Sequence, residues 1–88
     1  MYIYEENRAK LFSETGTKVL LLVRDEVQSL LQLAGAVRSQ EALAKAAGDG
    51  WTRLAALDYM VELGEIRELT GPDVAGQHRV FVRRKIAT

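Results

Sequence analysis

Eighty-eight residues are enough for one domain and not two, and the absence of cysteine excludes disulfide staples, thiolate nucleophiles and Cys-based zinc sites. Twelve basic residues balance twelve acidic ones, so the chain lacks the overall basic excess typical of domains held to nucleic acid through phosphates. The longest apolar run, Val19–Val23, falls far short of the roughly 20 residues of a bilayer span, and Met1–Glu6 lacks the basic and apolar parts of a signal peptide; a cytoplasmic chain with no membrane contact is expected.

In chain order, residues 1–16 form an N-terminal segment of weak pattern. Tyr2-Ile3-Tyr4 suits the start of a short strand, Arg8–Glu14 a strand or a single helical turn, and Gly16 a break. From Thr17 to Gly35 the period becomes helical: Val19, Val23, Val27, Leu30, Leu31 and Ala34 recur at spacings of three and four. Thr17 is the expected N-cap and Gly35 the expected stop. Leu20, Leu21, Leu22 and Leu33 widen the apolar surface beyond one stripe. The N-terminal segment is expected to cover them; the alternative is a homodimer contact through this helix or that segment.

A second helix, Gln40–Ala47, follows Ser39 as N-cap and directs Leu43, Ala44 and Ala47 inward. Gly48-Asp49-Gly50 marks a turn, and a third helix runs from Trp51 to Leu63 with Leu54, Leu57, Met60 or Val61, and Leu63 toward the core, ending at Gly64. The period then drops toward two: Glu65–Leu69 and Gln77–Arg84 read as strands joined by a loop over 70–76. Two strands alone are marginal in water, so the hairpin over 65–85 must pack on the helices. The expected class is α+β, mainly α, as a single domain over 1–88.

The window Gln40–Tyr59 carries a more specific pattern. Its fifth place holds Ala44, where two helices cross closely; its ninth holds Gly48; and its fourth, eighth, fifteenth and eighteenth hold Leu43, Ala47, Leu54 and Leu57. This resembles a helix-turn-helix over 40–64. With the continuation Tyr59–Arg67 it resembles the winged helix-turn-helix family of small bacterial and phage transcriptional regulators, over roughly residues 17–85. The tenth place is usually apolar but holds Asp49, which is expected to cap the third helix.

The resemblance implies double-stranded DNA as partner, with the third helix in the major groove and the wing on phosphates, in a dimeric transcriptional regulator. Carried over by position, the exposed helix face comprises Trp51, Thr52, Arg53, Ala55, Ala56 and Tyr59, and the contacts expected from it are Trp51, Thr52, Arg53, Ala56 and Tyr59. The wing adds His78, Arg79, Arg83, Arg84 and Lys85. Against DNA stands the series Asp58, Glu62, Glu65 and Glu68, read as a solvated flank turned away from phosphate. Together with net neutrality and the surplus leucines, it keeps open a second reading, a winged-helix protein–protein interaction module without DNA binding. Trp51 then serves as an exposed anchor rather than as packing over the helix crossing. Catalytic, metal and cofactor sites are not expected. His78 has no second histidine, Gly48-Asp49-Gly50 lacks the Lys-Ser/Thr of a phosphate loop, and Ser13, Ser29 and Ser39 have no adjacent base.

Overall fold

The longest element begins three residues earlier than its sequence predicts. In the computed structural model, which describes residues 1–44, 49–71, 73–74 and 76–84, Ser13 caps helix α2 (Glu14–Ala34) by accepting from the Gly16 N–H at 3.0 Å. Thr17, the expected cap, lies one turn inside, its hydroxyl 3.0 and 2.9 Å from the carbonyls of Leu11 and Ser13. Gly16 does not break the helix; it lets another segment cross it. A Cβ there would sit 1.7 Å from the Lys10 carbonyl oxygen, so only glycine admits the preceding 3₁₀ turn, Arg8–Phe12, so close to α2. At the other end Gly35 stops the helix as expected, at φ +77°, its N–H donating to the Leu31 carbonyl.

Residues 1–12 leave three of the four surplus leucines uncovered. After a short helix α1 (Tyr4–Asn7), the 3₁₀ turn buries Leu11 against the body of the domain. The segment packs against both α2 and the third predicted helix; Leu20 is buried, while Leu21, Leu22 and Leu33 stay exposed on α2, the last at 84%.

Directly after Gly35 comes a strand that the pattern did not announce, β1 (Ala36–Arg38). Helix α3 (Ser39–Leu43) follows, then α4 (Gly50–Glu62), β2 (Ile66–Glu68), a 3₁₀ turn at Gly76–His78 and β3 (Val80–Arg83). The hairpin strands are shorter than expected, and β3 lies in the middle of a three-stranded antiparallel sheet ordered β1-β3-β2. Val37 faces Phe81 on one side, and Glu68 faces Phe81 on the other.

Ser39 serves a different purpose from capping. Arg38 occupies the cap position without a side-chain bond, whereas Ser39 donates its N–H to the Arg79 carbonyl at 2.8 Å and accepts the Arg79 N–H on its hydroxyl at 3.1 Å. It therefore ties the start of α3 to the entry of β3. The inward placement expected of Ala47, like the turn position of Gly48, lies outside the described residues.

Asp49 does cap α4, as its departure from the motif suggested. One carboxylate oxygen accepts the Thr52 N–H at 2.9 Å and the other the Thr52 hydroxyl at 2.8 Å, which holds the Asp49 carboxyl below its ordinary value. Gly64 completes the other end at φ +78°, just after the C-cap Leu63. The core gathers Leu11, Val23, Val27, Val37, Leu57, Met60, Ile66 and Phe81, all essentially without solvent contact. The fold is thus α+β and mainly helical, and no helix among the described residues is long and apolar enough to cross a membrane.

Candidate functional site

Helix α4 is rotated relative to its predicted orientation. Its buried positions are Thr52, Ala55, Ala56, Leu57 and Met60, while Leu54 is only half-buried. The reason is that α4 packs on two sides, against α2 and against residues 4–12, so its apolar surface is wider than one stripe. Two adjacent alanines keep the helix slim for these close approaches and not for a DNA groove. This corrects three expectations: Ala55 and Ala56 have no exposure, and Thr52 is 6% exposed and engaged by Asp49, so none of them can reach a ligand. Tyr59 is half-buried, its ring edge-on to Phe12 at 5.6 Å, with the Arg8 guanidinium over both rings at 5.2 and 5.5 Å.

The acidic series is not a solvated flank. Each of its carboxylates has an arginine partner supplied by another element. Asp58 and Glu68 clamp Arg79: its Nη2 donates to Asp58 Oδ1 at 2.6 Å and to Glu68 Oε1 at 2.7 Å, and its Nε donates to Glu68 Oε2 at 2.9 Å. Tyr2 adds a hydroxyl donated to Asp58 at 2.6 Å. Glu62 receives both Arg8 nitrogens, at 2.8 and 2.7 Å, and the Tyr4 hydroxyl at 2.9 Å. Glu65 receives Nε and Nη2 of Arg24, at 3.0 and 2.9 Å. Bonding from Arg79 holds the Glu68 carboxyl below its ordinary value, and bonding from Arg8 does the same for Glu62. The two phenols move the other way: burial first, and then the bonds to Asp58 and Glu62, push Tyr2 well up and Tyr4 up to about 12.

Arg79, expected on phosphate, is therefore removed from the surface. Its side chain is 13% exposed and its guanidinium lies 5.0 Å from the centre of the Phe81 ring. The remaining candidates separate to the two ends of α4. At the start of the helix, Trp51 is 43% exposed and borders a cleft of about 360 Å³ with Leu43 and Gln40 of α3, Arg53 and Leu54 of α4, and Gln77 of the second 3₁₀ turn. Arg53 Nη1 donates to the Leu43 carbonyl at 2.9 Å, which holds that guanidinium along the cleft wall. His78 is exposed on the same turn as Gln77, with 3.2 Å between its Nε2 and the Gln77 amide nitrogen. Arg83 and Arg84 are exposed at the far end, beside Gly64, roughly 20 Å away by the rise of a thirteen-residue helix. Lys85 lies outside the described residues.

Sequence reasoning missed Tyr2, Tyr4, Arg8 and Arg24 as partners of the acidic series, and Gln40 and Gln77 beside Trp51. A signal for the first group was available. Carboxylates at 58, 62 and 65 recur at helical spacing on a half-apolar helix, which asks where their counter-charges are. No known protein family, curated protein or solved structure matches this chain.

Proposed function

We propose that this chain is a protein-interaction module on a winged-helix scaffold, with the Trp51 cleft as its contact surface. The helix–strand–helix–helix–strand–strand order from α2 to β3, together with the Asp49-capped start of α4, supports the winged-helix part of the reading. One observation carries the rest: the cations expected to form a single basic face are distributed over the molecule, with Arg79 internally neutralised and Arg53 an α4 length from Arg83 and Arg84. A duplex is a continuous line of charge and rewards a continuous counter-surface. A large exposed aromatic beside a half-apolar cleft rewards a partner's apolar side chain instead. The ligand class is a protein segment presenting a large apolar residue to Trp51, Leu43 and Leu54, with polar groups bonding to Gln40 and Gln77.

The second reading, duplex DNA at the start of α4, draws on Arg53, His78 and the two amides around that same cleft. A pair of experiments separates them. Fluorescence anisotropy with genomic duplexes at physiological salt is expected to show only weak, non-specific association, with Kd no tighter than about 10⁻⁶ M. A photocrosslinking residue replacing Trp51 is expected to trap a discrete protein in cells, and one replacing Arg67 on β2 is not. Submicromolar duplex binding abolished by Trp51→Ala and Arg53→Ala would overturn the protein-partner reading in favour of DNA.

A further inference from the structure

The two-residue repeat of a strand places Phe81 and Arg83 on one face of β3, and Arg79, just before the strand, lies on that side with its guanidinium over the Phe81 ring. Phe81 fills the centre of that face and is fully buried. To one side Arg79 is closed off by Asp58 and Glu68. To the other, Arg83 is exposed, and among the described residues neither it nor Arg84 has a side-chain hydrogen bond or an ion pair.

A cleft of about 430 Å³ opens beneath these two arginines, between α2 and the base of the sheet. Gln28 and Gln32, one helical turn apart and both exposed, line the α2 side, and Leu31, Met60 and Ile66 supply apolar lining. The one carboxylate at the rim, Glu65, is already bound through both its oxygens by Arg24. Three guanidinium groups therefore meet one carboxylate here. The turn at Gly64 contributes as well: a Cβ at this position would come within 2.9 Å of Arg84 Nη1, so the glycine leaves room for the guanidinium beside the cleft.

We propose that this cleft binds an oxyanion, a phosphate or carboxylate carried on a small organic body. The guanidinium forks of Arg83 and Arg84 take the anionic group in the bidentate manner to which they are suited. The amides of Gln28 and Gln32 donate from the opposite wall, above a floor of buried Leu31, Met60 and Ile66. The site lies at the opposite end of α4 from Trp51, so it can fail or succeed independently of the protein-partner reading.

Two-dimensional amide NMR of the full chain with inorganic phosphate, phenyl phosphate and benzoate tests the proposal. All three are expected to shift the side-chain amides of Gln28 and Gln32 and the backbone signals of Gly64, Arg83 and Arg84, leaving the Trp51 indole unmoved. Whether benzoate or phenyl phosphate binds more tightly distinguishes a carboxylate from a phosphate as the ligand class. The Arg83→Gln/Arg84→Gln variant, altered only at exposed side chains, should keep its folded spectrum and lose at least about tenfold in affinity. Shifts spread equally over Lys10, Lys18, Arg38 and Arg67, or no shift at about 20 mM phosphate, would overturn it.

Discussion

Arg79 and Arg83 stand two residues on either side of Phe81 and project from the same face of the same chain segment, yet one is enclosed and the other open. What separates them is the topology around the sheet. At the Arg79 side, α4 brings Asp58 and β2 brings Glu68 within 2.6–2.7 Å; at the Arg83 side, α2 brings Gln28 and Gln32, and the nearby Glu65 is already engaged by Arg24. Counting basic residues within eight positions therefore mixes a structural cation with available ones. Net neutrality misleads in the same way. Four of the twelve carboxylates are paired with Arg8, Arg24 and Arg79 within the fold, so the formal sum says nothing of where the unpaired charges lie.

The comparison is broken most directly by removing each arginine in turn. Arg79→Ala leaves two carboxylates facing each other in a partly buried site and strips a cation from the Phe81 ring; a loss of about 3 kcal/mol is expected in urea unfolding. Arg83→Ala removes an exposed side chain without a protein partner and should cost under about 0.5 kcal/mol. Equal losses from the two would mean that the enclosed and open states described for them do not hold in solution.

Acid unfolding sharpens the same contrast. Bonding from Arg79 depresses the folded-state value of Glu68 below its ordinary 4.5. Between the two values the unfolded chain binds the extra proton, so stability rises with pH there. This contribution is fully present above the ordinary carboxylate range and is lost as pH falls through the depressed value. In Arg79→Ala the sign should reverse at this site: protonating one of the two repelling carboxylates relieves the fold, so its stability relative to the native protein improves on acidification. For the same reason, adding Glu68→Gln to Arg79→Ala should recover about 1 kcal/mol at neutral pH. A variant with an unchanged acid slope would remove Arg79 as the cause of the Glu68 shift.

How much of this was readable beforehand depends on the reach of each interaction. The inward face of α2, its end at Gly35, the Asp49 cap and the Gly64 stop were legible because each involves residues within four positions of one another. β1 was not, because Ala36-Val37-Arg38 has no strand signal of its own and becomes a strand only when β3 offers an edge. The rotation of α4 escaped for a related reason: its second covering surface is residues 4–12, remote from it in the chain. The carboxylate clamps are non-local too, spanning 54 residues for Arg8 with Glu62, 41 for Arg24 with Glu65, and 21 and 11 for Arg79 with Asp58 and Glu68. The basic cluster over 79–84 looked uniform because it was a local pattern read without those remote partners.

Gly64 tests the open end of the comparison. Alanine at this position must adopt φ +78° and would press against Arg84, so Gly64→Ala should cost about 1 kcal/mol. It should displace Arg84 while leaving the Arg79 clamp intact, which the chemical shifts of the Phe81 ring would report. If the ring shifts as much as in Arg79→Ala, the two ends of β3 are coupled and cannot be treated as separate sites.

The smallest effect is expected where the N-terminal segment meets α4. Arg8 and Glu62 are both solvent-accessible, so Arg8→Ala should leave the unfolding midpoint nearly unchanged. It should instead raise amide exchange across residues 4–12 and let the Glu62 carboxyl climb back toward its ordinary value, since bonding from Arg8 is the first cause of its depression. The Tyr4 phenol gives an independent readout of the same contact. Burial and its bond to Glu62 push it up to about 12, so Glu62→Gln, which keeps an acceptor but removes the negative charge, should lower it toward 10 in an ultraviolet titration. If the phenol does not move in Glu62→Gln while exchange over 4–12 rises in Arg8→Ala, the segment is held by Arg8 on the Phe12 and Tyr59 rings, with little contribution from the carboxylate.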